Sequence, residues 1–261
     1  MRGTLARRGV WILAVATIMT ALVVSGQAQT LVANVWETRF QIDLQVPDEV
    51  LKPYIPQGFT SNVAERGPAK DCNLRLIFVD ELSVSGPDGK PLGKGTNQLA
   101  YFLAPVTDSK GEAAQLMIAG FSADPGDVPG AYGAFLSATT HKMRRTETTQ
   151  NGSIINTEDW AFQAASGEHL EMHIQYERGV ANRSKPPEFK VYSAKNPSFY
   201  RLQQQEQVLD ILKNVTTNPP DRVKSFSLKI SGPSFAKLVP GTPKVLSWDK
   251  ILWMNHSVLT P

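Results

Sequence analysis

The chain has 261 residues, of which 41% are hydrophobic and 20% charged, so it carries ample core material and is excluded from the disordered class. Its formal net charge of +3 rests partly on N-terminal arginines and argues against a nucleic-acid partner. One cysteine, Cys72, excludes an internal disulfide, so the fold must rely on its core.

Residues 1–28 read as a cleaved export signal. Arg2, Arg7 and Arg8 form a positive head, Val10 to Val24 form an apolar run, and Ser25-Gly26-Gln27-Ala28 offers small residues for cleavage after Ala28. The run is shorter than the roughly 20 residues that span a bilayer, so no stable membrane insertion is expected after cleavage. No cysteine adjoins the cleavage point to carry a lipid. The expected location is periplasmic or secreted, with residues 29–261 as one domain.

Phe40, Ile42, Leu44 and Val46 alternate with Arg39, Gln41, Asp43 and Gln45, the period-two pattern of a strand with one buried face. Pro47 to Leu51 starts a short helix that Pro53, Pro56 and Gly58 stop. Apolar runs at Leu74 to Val84, Leu99 to Val106 and Ala114 to Phe121, bounded by Gly, Pro and Asp clusters, predict three strands. Asn151-Gly152 predicts a tight hairpin between Met143 to Gln150 and Ser153 to Trp160. Ser166-Gly167-Glu168 predicts a second, leading into His169 to Tyr176. Gly179 to Pro197 reads as a long surface connection. Tyr200 to Asn214, with Leu202, Val208, Leu209, Ile211 and Leu212 among Gln and Glu, reads as a helix. Val223 to Ser231 and Val245 to Val258 return to strand. The expected class is α+β, mostly β, with an antiparallel sheet closed or partly closed into a barrel.

No phosphate-binding glycine loop, dinucleotide fingerprint, nucleophile elbow or cysteine pair occurs. Three weaker constellations remain. Tyr132 to Arg145 runs from small and apolar residues into Lys142, Arg144 and Arg145, and a lysine beside apolar groups and another cation has the lowered pKa that Schiff-base chemistry needs. The bland alternative is a solvated strand face. On a strand, His169, Glu171 and His173 share a face and offer metal-ligand chemistry, or simply the polar side of an amphipathic strand. Trp248, Trp253, Met254 and His256 suit either a pocket lining or ordinary core. Asn151, Asn182, Asn214 and Asn255 head Asn-x-Ser/Thr triplets, relevant only in a glycosylating secretory system.

The order of features, Val46-Pro47-Asp48-Glu49-Val50-Leu51 to Phe59, then Gly130-Ala131-Tyr132-Gly133 before a lysine, then Lys244 to Val258, resembles the acetoacetate decarboxylase-like superfamily. That resemblance implies a barrel-like fold with an apolar cavity, no cofactor, and a small carbonyl or carboxylate ligand. Lys142 is the counterpart of the family's reactive amine, with Arg144 and Arg145 to hold a substrate carboxylate. The family's second, adjacent lysine is missing, and Gln98 stands where an acidic residue is usual. Three functional classes stay open: a Schiff-base lyase acting on a small keto acid, a non-catalytic small-ligand-binding protein, and a metal-dependent enzyme. An oligomer is compatible with each.

Overall fold

The computed structural model describes residues 29–126, 128–215 and 221–261, so the export-signal segment lies outside the described residues. Thirteen strands follow in order: β1 (Thr30–Gln45), β2 (Thr60–Ser61), β3 (Leu74–Ser85), β4 (Asn97–Thr107), β5 (Ala113–Ser122), β6 (Phe135–Gln150), β7 (Ser153–Ala164), β8 (His169–Glu177), β9 (Asn182–Ser184), β10 (Phe189–Ser193), β11 (Tyr200–Lys213), β12 (Val223–Ser231) and β13 (Lys244–Thr260). Among the described residues there are two one-turn α-helices, α1 (Asp48–Leu51) and α2 (Phe235–Leu238). No described helix is long and apolar enough to cross a membrane.

Seven strands close a mixed barrel in the order β1-β3-β4-β5-β10-β11-β13, with β13 returning to β1. Closure leaves no free edge around the ring. The long β1–β13 ladder contains register shifts, as at Glu37/Arg39 opposite Met254/Ile251, which bend the two strands around the barrel. One edge of β5 is used twice in succession. Gln115 to Met117 pair in parallel with β10, and Gly120 to Ser122 pair in parallel with the start of β6. From there β6, β7, β8 and β12 peel away as an antiparallel second sheet.

That sheet packs across the outer wall of the barrel, so the wall strands are buried on both faces. Phe40, Ile42, Leu44, Phe78 and Phe102 point outward and meet Trp160, Phe162, Ile174 and Tyr176 of the second sheet. Burying each large apolar side chain contributes about 1.5–3 kcal/mol, which makes this layer the main core. Phe235 of α2 plugs it, lying edge-on to Phe102 and Phe121 at 5.4 and 5.0 Å. The opposite faces of the wall strands point into the lumen, where Ile77, Val79, Leu99, Tyr101 and Leu103 form a second cluster.

The expected strands and both hairpins form, and Asn151 and Gly152 both take the positive φ that their turn requires. Two expectations are overturned. Tyr200 to Asn214 is not a helix, since residues 200–213 are β11. Its Gln, Glu and Leu favour helix, but antiparallel pairing to β10 and β9 on one side and β13 on the other outweighs that weak preference. The connection after Gly179 is not all loop either, because it contributes β9 and β10, and β10 is a stave of the barrel.

Candidate functional site in the barrel lumen

The lumen holds a small cavity of about 70 Å³, several times the roughly 10–15 Å³ that one water molecule needs. Much of the lining is apolar: Val35, Leu99, Leu103, Met117, Phe135, Val191 and Val258. Against it stands a polar arc of Glu37, Arg39, Glu81, Tyr101, Tyr132, Gln203, Gln205 and His256. Each arc residue is at most 9% exposed.

Period two explains how the arc is assembled. Val35, Glu37 and Arg39 alternate on the inward face of β1, and Gln203 and Gln205 do so on β11. His256 comes from β13, Tyr101 from β4 and Glu81 from β3. Tyr132 arrives differently, at the end of a 3-10 turn over Val128–Tyr132. Gly130 lets that turn pass close to Pro125, whose carbonyl oxygen would lie 1.8 Å from any added Cβ. Gly133 reverses the chain at φ 63°, a conformation that favours glycine.

The arc is tightly bonded. Arg39 Nε donates to Glu37 Oε1, and Arg39 Nη2 lies 3.3 Å from His256 Nδ1. His256 Nε2 meets Gln203 Oε1, and Gln203 Nε2 donates to Tyr132 Oη at 3.2 Å. Burial pushes the Glu37 carboxyl above its ordinary value against the pull of Arg39. Burial also disfavours the Arg39 charge, but Glu37, Tyr101 and Glu81 outweigh that and hold it protonated. Burial and the neighbouring Arg39 push His256 well below its usual range, so its ring is neutral. Burial raises the Tyr101 hydroxyl to about 12 and raises Tyr132 further, so both phenols keep their protons.

The residues singled out from sequence lie elsewhere, with one exception. Lys142 and Arg144 are exposed on the solvent face of the second sheet. Strand register lines up Lys142, Ala161, Glu171 and Lys229 in one row and Arg144, Asp159, His173 and Ser227 in the next. Arg145 points the opposite way, between the sheets, where Nη2 donates to Thr38 Oγ1 at 3.0 Å and Nε lies 3.4 Å from Glu158. His169 and His173 pair with Glu171 and Asp159 at 3.3 and 2.7 Å. Among the described residues no three His, Cys, Asp or Glu side chains are grouped to hold a metal. Of the C-terminal aromatic group, Trp248 packs on Phe226 and Trp253 on Trp36 of the outer wall, while His256 reaches the lumen. Gln98 lines a groove with His141 and Asp124. The lumen's carboxyl groups come instead from Glu37 and Glu81. No lysine lines the cavity among the described residues.

A seven-stranded mixed barrel with a second sheet folded over its wall, enclosing a polar-and-apolar lumen, is the acetoacetate decarboxylase-like fold. The enduracididine biosynthesis enzyme MppR with HEPES bound superposes with a TM-score of 0.58 at 10% identity, covering 89% of this chain and 86% of that one. MppR complexed with the condensation product of pyruvate and imidazole 4-carboxaldehyde gives 0.55 at 10% identity, covering 88% and 87%. An acetoacetate decarboxylase-like enzyme from Sphingomonas wittichii RW1 gives 0.52 at 8% identity, covering 88% and 90%. No sequence-family profile and no curated protein sequence matches the chain.

Proposed function

We propose that this protein is an exported small-molecule-binding protein that takes a carbonyl or carboxylate compound with an apolar body into the barrel lumen. The observation that carries this reading is the lumen itself, a cavity with one polar arc on an otherwise apolar wall. MppR, on the same fold, is known with a small condensation product bound, which supports a small organic ligand here. The lumen offers carboxyl, guanidinium, imidazole, amide and phenol groups, but no described amine. That inventory favours recognition over Schiff-base chemistry at this site.

A second reading keeps the amine. Lys142 and Arg144 share the groove on the second sheet, and Lys142 is the one amine that the resemblance matches to a reactive lysine. A small keto acid would then condense with Lys142 as a lyase substrate.

One experiment separates the two. The chain beginning at Gln29 is titrated calorimetrically with small ketones and keto acids, then treated with borohydride and mapped by peptide mass spectrometry. The lumen reading expects saturable, non-covalent binding that Leu103→Trp, which fills the cavity, abolishes. An adduct on Lys142 that survives Leu103→Trp would replace it with the lyase reading. Export is checked by the N-terminus of protein recovered outside the cytoplasm, expected at Gln29.

A further inference from the structure

Resting on the lumen-binding reading, we propose that Tyr132 Oη is the hydrogen-bond donor that selects the ligand. The group it selects is an uncharged acceptor oxygen, a ketone, aldehyde or ester carbonyl, on an apolar body.

The direction of every bond in the arc follows from one chemical constraint. A guanidinium has donors only, so the contact between Arg39 Nη2 and His256 Nδ1 makes Nδ1 the acceptor. A neutral ring bare at Nδ1 carries its proton on Nε2. That proton goes to Gln203 Oε1, which fixes the amide with Nε2 facing Tyr132. Gln203 Nε2 then donates to Tyr132 Oη, so the phenolic oxygen is the acceptor in the last link. The phenol proton lies in the ring plane, on one side of the C–O bond or the other. Gln203 occupies one side and leaves the proton on the other. Among the described residues no acceptor takes it, and Tyr132 lines the cavity. The relay therefore ends in one oriented donor; Tyr101 and Gln205 also line the cavity, but among the described bonds no relay fixes the direction of theirs.

The charge count decides between a carbonyl and a carboxylate. Arg39 is the one guanidinium or ammonium group among the described lining residues, and Glu37 already pairs with it. His256 cannot take a second proton at Nδ1 while it accepts from Arg39. An entering carboxylate would thus meet Glu37 and Glu81 with no uncommitted cation in the described lining, since Arg201, whose charge reaches Tyr132, lies outside it stacked on Phe199, and burying an uncompensated charge is costly. A carbonyl brings no charge and needs only the donor that Tyr132 offers.

The test titrates the chain beginning at Gln29 with cyclohexanone, cyclohexane and cyclohexanecarboxylate, before and after Tyr132→Phe, which removes only the hydroxyl. The ketone should bind about tenfold or more tightly than the hydrocarbon, the worth of one well-placed hydrogen bond. In Tyr132→Phe that preference should vanish while hydrocarbon affinity stays put. A preference that survives Tyr132→Phe, or tighter binding of the carboxylate than the ketone, overturns the proposal with the lumen reading intact. Binding of none of the three by the unaltered protein sinks the lumen reading itself. A second readout does not depend on a variant folding. Nitrogen-15 NMR should show His256 as the neutral Nε2–H tautomer, and an Nδ1–H tautomer or imidazolium at neutral pH overturns the relay. His256 acts here as a positioning residue. His256→Phe should lower the ratio of ketone to hydrocarbon affinity, whereas an unchanged ratio would mark it as merely structural and count against the proposal.

Discussion

Two buried ionic clusters lie on opposite faces of the same wall strands, and they behave differently. Between the sheets, Glu158 is fully buried and has four partners: Lys250 Nζ at 2.8 Å, Arg145 Nε at 3.4 Å, the Tyr176 hydroxyl at 2.9 Å and Trp160 Nε1 at 3.1 Å. In the lumen, the arc from Glu37 through Arg39, His256 and Gln203 runs out at a tyrosine facing a cavity. A closed cluster ties two layers together. An open one leaves a donor for something that is not protein. Burial and charge alone do not tell a site from a tether; whether the last group meets another protein layer or a cavity does.

The sharpest way to break that comparison is Glu158→Gln, which leaves Lys250 and Arg145 buried against a neutral amide. It should cost about 3–5 kcal/mol in urea unfolding. Burial raises the Glu158 carboxyl, but Lys250 and Arg145 outweigh it and hold the group down to about 2. A depressed carboxyl stabilises the fold above its unfolded value of 4.5. That contribution is lost as pH falls toward 2, and the acid limb of the stability curve should flatten in the variant.

Arg39→Met in the lumen should cost less, about 1–3 kcal/mol, because burial raises the Glu37 carboxyl, so that once Arg39 is gone it takes up a proton instead of staying charged. Equal losses for Glu158→Gln and Arg39→Met would show that the two clusters are the same kind of structure.

Asp249 gives a pH test of opposite sign. Burial and the charge of Asp43 raise it from 3.8 to about 7. The folded state then holds a proton that the unfolded state releases, so stability falls as pH rises from about 4 through 7. Asp249→Asn should be worth about 1–2 kcal/mol at pH 8 and nearly nothing at pH 4. A gain equal at both pH values would refute the assignment. The smallest effect belongs to Lys142→Ala on the exposed face, within about 0.5 kcal/mol by the same urea assay. A larger loss would mean that the outer groove is more than a solvated surface.

The strands and turns were legible because period two and Asn151-Gly152 are local signals. The lumen was not. Arg39, Gln41 and Asp43 have the pattern of a solvent face, and the structure buries Arg39 and Asp43, at 7% and 2% exposed, because that face turns into the barrel while Phe40 and Ile42 meet the second sheet. A polar face on a strand reads alike whether it meets bulk water or an enclosed cavity, and only closure of the ring distinguishes them. Gln203 and Gln205 were hidden by a second cause, since the helix expected over residues 200–214 scatters residues that β11 places side by side. Tyr132 was visible as part of Gly130-Ala131-Tyr132-Gly133, but its role depends on partners from β11 and β13 that local sequence cannot bring together. His256 was the one lumen residue singled out, through its aromatic neighbours, which themselves go to the inter-sheet core and the outer wall.

The pairing of β1 with β13 has a consequence for how the chain is made. The first wall stave finds one of its two neighbours only after the last strand leaves the ribosome, more than two hundred residues later. Until then the ring is open and the relay lacks His256, although the second sheet of β6, β7, β8 and β12 has already been made. Such long-range closure folds slowly and keeps the nascent polypeptide threadable for the whole of its synthesis. A chaperone that holds extended segments would have its longest hold on β1, and shortening the delay by circular permutation between β1 and β13 should speed refolding without altering the finished barrel.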